Sequence, residues 1–195
     1  MSLDELVFFN DSEARTVDAI AARIIPGDDD DPGAREAGAV VYIDRALAGA
    51  YQQFEKLYRR GLWELEHYCR ARHGGPFVEL DEERQDEVLH DIDAATERQL
   101  PTQLQIGAGR REAADLGPGV LAEFFAAVRQ HTIEGTFCDP AYGGNRGAVG
   151  WRLLGFPGAQ WGYSADQMRL GFDATRIPIK TLTDLRRERG SEAAG

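Results

Sequence analysis

Residues 51–72 read Tyr-Gln-Gln-Phe-Glu-Lys-Leu-Tyr-Arg-Arg-Gly-Leu-Trp-Glu-Leu-Glu-His-Tyr-Cys-Arg-Ala-Arg. Phe54, Leu57, Tyr58, Leu62, Leu65 and Tyr68 fall on adjoining stripes of a helix, and the run ends where His73-Gly74-Gly75-Pro76 opposes further coiling. A long amphipathic helix needs other helices to cover its apolar side, and both flanks offer them.

On the N-terminal side, Asn10-Asp11-Ser12 followed by Glu13 reads as a helix start. Val17, Ile20, Ala21 and Ile24 then recur at helical spacing until Pro26-Gly27. Asp28 to Asp31 form an acidic loop closed by Pro32-Gly33, without the alternating ligands, central Gly and distal Glu of a calcium loop. A second helix is expected from Arg35 to Ala50, burying Val40, Val41, Ile43 and Leu47. C-terminal to the quoted stretch, Asp81 caps a helix that carries Val88, Leu89 and Ile92, with Glu82, Glu83, Asp86 and Glu87 on its solvated side. Thr102 to Gly119 has no sustained period and reads as a loop or short helical piece; Val120 to Glu134 is another helix, rich in Leu121, Phe124, Phe125 and Val128. The pattern predicts an all-α fold: an irregular bundle of five to six helices in a single domain, residues 1–195, with its helical core at 10–134. No internal repeat is present.

The 195 residues carry a formal net charge of −11. Residues 1–100 hold 23 acidic and 11 basic groups, whereas 101–195 hold 10 and 11. A protein that tracks a phosphate backbone needs the opposite sign along one face, so nucleic acid is not an expected partner. Apolar runs are too short to span a bilayer. Cys69 and Cys138 are the only cysteines, too few for a disulfide framework and without Cys-x-x-Cys spacing. No charged segment followed by an apolar one opens the chain, and the arginine pairs at 59–60, 110–111 and 186–187 are internal, so no export leader is visible.

From Gly135 the composition changes. Glu134-Gly135-Thr136-Phe137-Cys138-Asp139-Pro140-Ala141-Tyr142-Gly143-Gly144-Asn145 is followed by Gly150-Trp151 and Gly155-Phe156-Pro157-Gly158. Asp-Pro favours a turn and Gly-Gly-Asn tolerates positive φ, so the backbone can fold tightly and present its aromatic side chains in a fixed layout. Large rings with few torsions to freeze suit a binding surface. The alternative is a loop that covers one end of the bundle with its rings turned inward. Residues 135–163 are expected to form the docking loop, and an extended, frayed tail to follow at 184–195. The side chains expected to touch a partner are Phe137, Cys138, Asp139, Tyr142, Asn145, Trp151, Phe156 and Trp161. Cys138, within the turn, is further expected to touch or cross-link that partner, with Cys69 buried elsewhere.

Together with Ile24-Ile25-Pro26 and Pro32-Gly33-Ala34, this segment resembles subunit 3 of gluconate 2-dehydrogenase, the small or gamma subunit of flavin-dependent sugar and sugar-acid dehydrogenases, across most of residues 10–163. The resemblance implies a non-catalytic, cofactor-free helical subunit, part of an oxidoreductase complex, that binds a large FAD-containing subunit of the glucose-methanol-choline type. It also implies a cytochrome subunit elsewhere in the complex and a place on the periplasmic side of the membrane. Many members help export their folded partner on a twin-arginine leader; without one this chain would stay in the cytoplasm.

Two other readings compete. Glu64-x-x-His67 and Glu87-x-x-His90 lie on separate helices and approach the carboxylate-histidine spacing of a di-metal site, although Glu87 belongs to a solvated face. A self-associating helical scaffold is the third. No nucleophile elbow and no Gly-x-Gly-x-x-Gly after a strand is found, so any flavin belongs to another chain.

Overall fold

A computed structural model describes residues 6–99 and 118–192. Among them the protein is all-α, with eight helices and no strand. The expectation for 102–117 lies outside the described residues.

Helix α1 (Asp11–Ile24) starts on a reciprocal cap in which the Asn10 side chain accepts from the Ser12 and Glu13 amides while Glu13 accepts from the Asn10 amide. Its inner face buries Ala14, Val17, Ile20 and Ala21. The acidic loop that follows is closed locally, with the Asp28 carboxylate accepting from the amides of Asp30 and Asp31 at 2.9 and 2.7 Å. The second predicted helix is two helices, α2 (Ala34–Ala37) and α3 (Ala39–Leu47), because Gly38 between them adopts φ 70°. Hydrophobic periodicity runs through that break unaltered, so the pattern alone does not reveal it.

The quoted stretch opens as a 3₁₀ turn, Gln52–Phe54, and becomes α4 (Glu55–His73). Asp81 caps α5 (Glu82–Gln99) through the Arg84 amide, as its sequence predicts. Helix α6 (Pro118–Phe137) packs against α1, α3, α4 and α5 at the centre of the bundle. Apolar residues on several of its sides suit that position. Tyr58, Phe77, Phe124, Val88 and Val128 are fully covered around it. Helices α4 and α6 cross closely at Gly61: a β-carbon there would stand 2.1 Å from the Phe124 ring. Asp44, also fully buried, accepts from the Val7, Phe8 and Phe9 amides at 2.7 to 2.9 Å and so ties the N-terminal segment to α3.

Two short helices complete the chain, α7 (Val149–Leu154) and α8 (Leu182–Glu192). The second corrects the expectation of a frayed tail from 184. Thr181 and Asp184 cap one another, Thr181 Oγ1 donating to Asp184 at 2.7 Å and receiving its amide at 3.3 Å. The charged composition concealed a helix start. Residues 193–195 lie outside the described residues.

Candidate functional site

The Gly-rich segment starts inside α6, not after it, and turns back on that helix's last turn. Thr136 donates to Thr132 O at 2.8 Å, and Asp139 accepts from the Ala141 amide to start a 3₁₀ turn, Pro140–Tyr142. Asn145 holds the turn together from a left-handed conformation, φ 43°. Its amide donates to Gly135 O at 2.7 Å, its Nδ2 donates to Cys138 O at 2.8 Å, and its Oδ1 accepts from the Gly150 amide at 2.8 Å. Glycine is required by contact: a β-carbon on Gly144 would stand 2.1 Å from Gly135 O, and one on Gly150 2.2 Å from Thr136 O. Trp151 then donates its indole N–H to Phe137 O at 2.8 Å, so the start of α7 is fastened to the end of α6.

Of the eight side chains expected to touch a partner, three belong to this frame. Asn145 is fully buried, Trp151 is 5% exposed, and Asp139 is buried with its second carboxylate oxygen accepting from the Leu182 amide at 2.8 Å, which anchors α8. Phe137 and Cys138 are half-buried. Tyr142, Phe156 and Trp161 face outward at 58%, 44% and 64% exposure. Phe156 stands edge-on against Trp151, ring centres 5.4 Å apart, which fixes its direction. Trp161 donates to Glu188 of α8 at 3.2 Å. Leu153, Leu154, Tyr163, Met168 and Leu170 continue the exposed apolar series. Helix α7 turns one flank of a short apolar run outward and leaves Trp151 inside, a division that the run of apolar residues does not itself reveal.

Beside this segment, α3 and the end of α6 enclose a groove of about 600 Å³. Tyr42, Ala46, Tyr51, Ile133 and Glu134 line it with Phe137, Cys138, Asp139 and Tyr142. Glu134 accepts from Tyr42 and Tyr51 at 3.0 Å each and from Gln130 at 2.8 Å. Burial pushes its carboxyl up, but the hydrogen bonds from Gln130, Tyr51 and Tyr42 and the field of His131 outweigh that, holding it below the usual carboxylate value. Burial, helped by Tyr51 and Glu134, raises the Tyr42 hydroxyl far above its ordinary range. One turn earlier on α6, His131 is buried, stacked on Tyr51, and 2.9 Å from the Tyr58 hydroxyl. Burial lowers its pKa, against the opposing pull of Glu134. The sequence carried no local signal for this cluster: Tyr42 and Tyr51 meet Glu134 across 92 and 83 residues of chain.

The thiols are both held back from ionisation. Desolvation pushes Cys69, fully buried in α4, to about 12 and Cys138 to about 11. The Cys138 thiol donates to Gly135 O at 3.7 Å.

Glu64, His67, Glu87 and His90 are not brought together. Glu64 pairs with Arg60 at 2.8 Å, and His67 Nδ1 lies 2.8 Å from Trp63 O. Among the described residues no three His, Cys, Asp or Glu side chains are grouped to hold a metal ion, and no helix is long and apolar enough to cross a membrane.

A family model described as gluconate 2-dehydrogenase subunit 3 matches residues 11–158. The match runs from α1 through the Gly-rich frame and ends before Trp161 and α8. No curated protein and no solved structure matches the chain.

Proposed function

Because the chain belongs to the gluconate 2-dehydrogenase subunit 3 family, we propose that it is the non-catalytic small subunit of a dehydrogenase complex, binding and stabilising a large FAD-dependent subunit of the glucose-methanol-choline type. The observation that carries this reading is the series of outward apolar side chains, from Tyr142 through Leu154, Phe156 and Trp161 to Leu170, set on a frame that Asn145 and Trp151 make rigid. Exposed apolar surface is costly in a lone soluble chain and is the usual mark of an interface. Rings held in one direction before binding lose little freedom on docking.

The small subunit acts through its affinity for the folded partner. A companion present at a thousand times its dissociation constant stabilises the native state by about 4 kcal/mol. In this reading FAD and the reacting groups belong to the large subunit, and a cytochrome subunit is reached only through the complex, on the periplasmic side of the membrane. Within the docking set, Tyr142, Phe156 and Trp161 are the contacts, Phe137 and Cys138 line the adjoining groove, and Asp139, Asn145 and Trp151 hold the frame.

Co-expression with a glucose-methanol-choline-type FAD-dependent subunit from the same genome, followed by size-exclusion chromatography, tests the pairing. The two chains are expected to elute as one flavin-containing species. Separate elution at micromolar concentration would overturn the reading.

A further inference from the structure

The groove beside the docking segment is apolar along most of its wall and carries the ionisable side chains Arg45, Glu134 and Asp139, the last turned to the Ala141 and Leu182 amides. Ala46, Tyr51, Ile133 and Phe137 supply the apolar wall, and Glu134 a carboxylate beside it. Gln130, Tyr42 and Tyr51 occupy three of the roughly four acceptor positions of the Glu134 carboxylate. All three partners are neutral donors, so the negative charge is oriented but not neutralised by them.

We propose that this groove receives one arginine or lysine side chain of the partner flavoprotein, its aliphatic stem along the apolar wall and its cationic head at Glu134. The inference rests on the pairing proposed above and names what enters this part of the interface. Charge complementarity selects the occupant. A wholly apolar side chain would cover an ionised carboxylate without compensation, and an acidic one would oppose it. Lys and Arg combine an apolar stem with a charged tip, which is the division the groove presents. Arg45 also lines the groove, its guanidinium against Gly143. The net charge of −11 steers a basic partner surface toward the chain.

The test uses the isotope-labelled full chain and three small probes of similar length: pentylguanidinium, 1-hexanol and hexanoate. Pentylguanidinium is expected to shift the backbone amides of residues 42–51 and 133–142 saturably, with at least about tenfold tighter binding than 1-hexanol and none by hexanoate. Glu134→Gln should abolish that preference. Ala50→Trp, which fills the groove from an exposed rim position and leaves Glu134 untouched, should block all three probes and weaken pairing with the flavoprotein. Equal binding of 1-hexanol, tighter binding of hexanoate, or full pairing by Ala50→Trp overturns the inference. So does concentration-dependent self-association that Ala50→Trp abolishes, since the groove would then serve a second copy. Pairing without cation preference removes this inference alone, whereas cation preference without pairing removes the proposed function and with it the flavoprotein as the source of the cation.

Discussion

Replacing Asn145 by Ala should cost more than its single position in the chain suggests. The side chain is fully buried and satisfies two groups, accepting from the Gly150 amide and donating to Cys138 O. Leaving the buried Gly150 amide unpaired costs about 1–3 kcal/mol, and the half-buried carbonyl, which water can partly reach, about 1 kcal/mol. Alanine at φ 43° adds about 1 kcal/mol that asparagine largely escapes. The total is about 3–5 kcal/mol, against a whole-domain stability of about 5–15 kcal/mol. With a urea slope of about 2 kcal/mol per molar, the unfolding midpoint should fall by about 2 M. Asn145→Gly loses the same two hydrogen bonds but not the conformational term, so its midpoint should lie about 0.5 M above that of Ala. A fall below about 0.3 M for Asn145→Ala, or Gly no better than Ala, would refute the account of the turn.

Other consequences follow from single contacts. Gly61→Ala places a methyl group on the Phe124 ring, and the overpacking of about 1–3 kcal/mol should exceed the gain in helix propensity of about 0.5–1 kcal/mol; a stabilised variant in thermal unfolding would contradict the α4/α6 crossing. His131 is depressed by burial, so the unfolded chain binds its proton at a higher pH than the folded one. Its contribution to stability is complete above about pH 6.5 and declines as pH falls from there through the folded value, and urea midpoints of wild type and His131→Gln compared at pH 7.5 and 5.5 should show the wild type losing more. Cys138, pushed up to about 11, should react with a thiol-specific disulfide reagent at neutral pH at least about tenfold slower in the native isolated chain than in urea. Comparable rates would show the thiol to be open.

The helices were legible wherever periodicity met a recognisable cap. Asn10 with Glu13 and Asp81 with Arg84 behave as local rules predict, because a cap involves groups only three residues apart. Gly38 was missed since one residue at positive φ breaks a helix without disturbing its apolar pattern, and α8 was missed because its charged face hides the Thr181–Asp184 cap. Within residues 135–163, the sequence grouped as partner contacts side chains that take two different structural roles. Asn145 and Trp151 are frame, and Phe156 and Trp161 are surface, a division set by backbone contacts with Gly135, Cys138 and Phe137. The Tyr42–Glu134–Tyr51 cluster forms only when α3 meets α6. No short window of sequence contains all of it.

The most direct measurement is the affinity of the doubly substituted Phe156→Ala, Trp161→Ala chain for the flavin-loaded large subunit, by titration calorimetry. Both rings face solvent in the isolated chain, so thermal unfolding should stay within a few degrees of wild type while binding weakens about 100-fold, near 2.7 kcal/mol. Wild-type affinity in a folded double variant would contradict the claim that these rings form the docking edge.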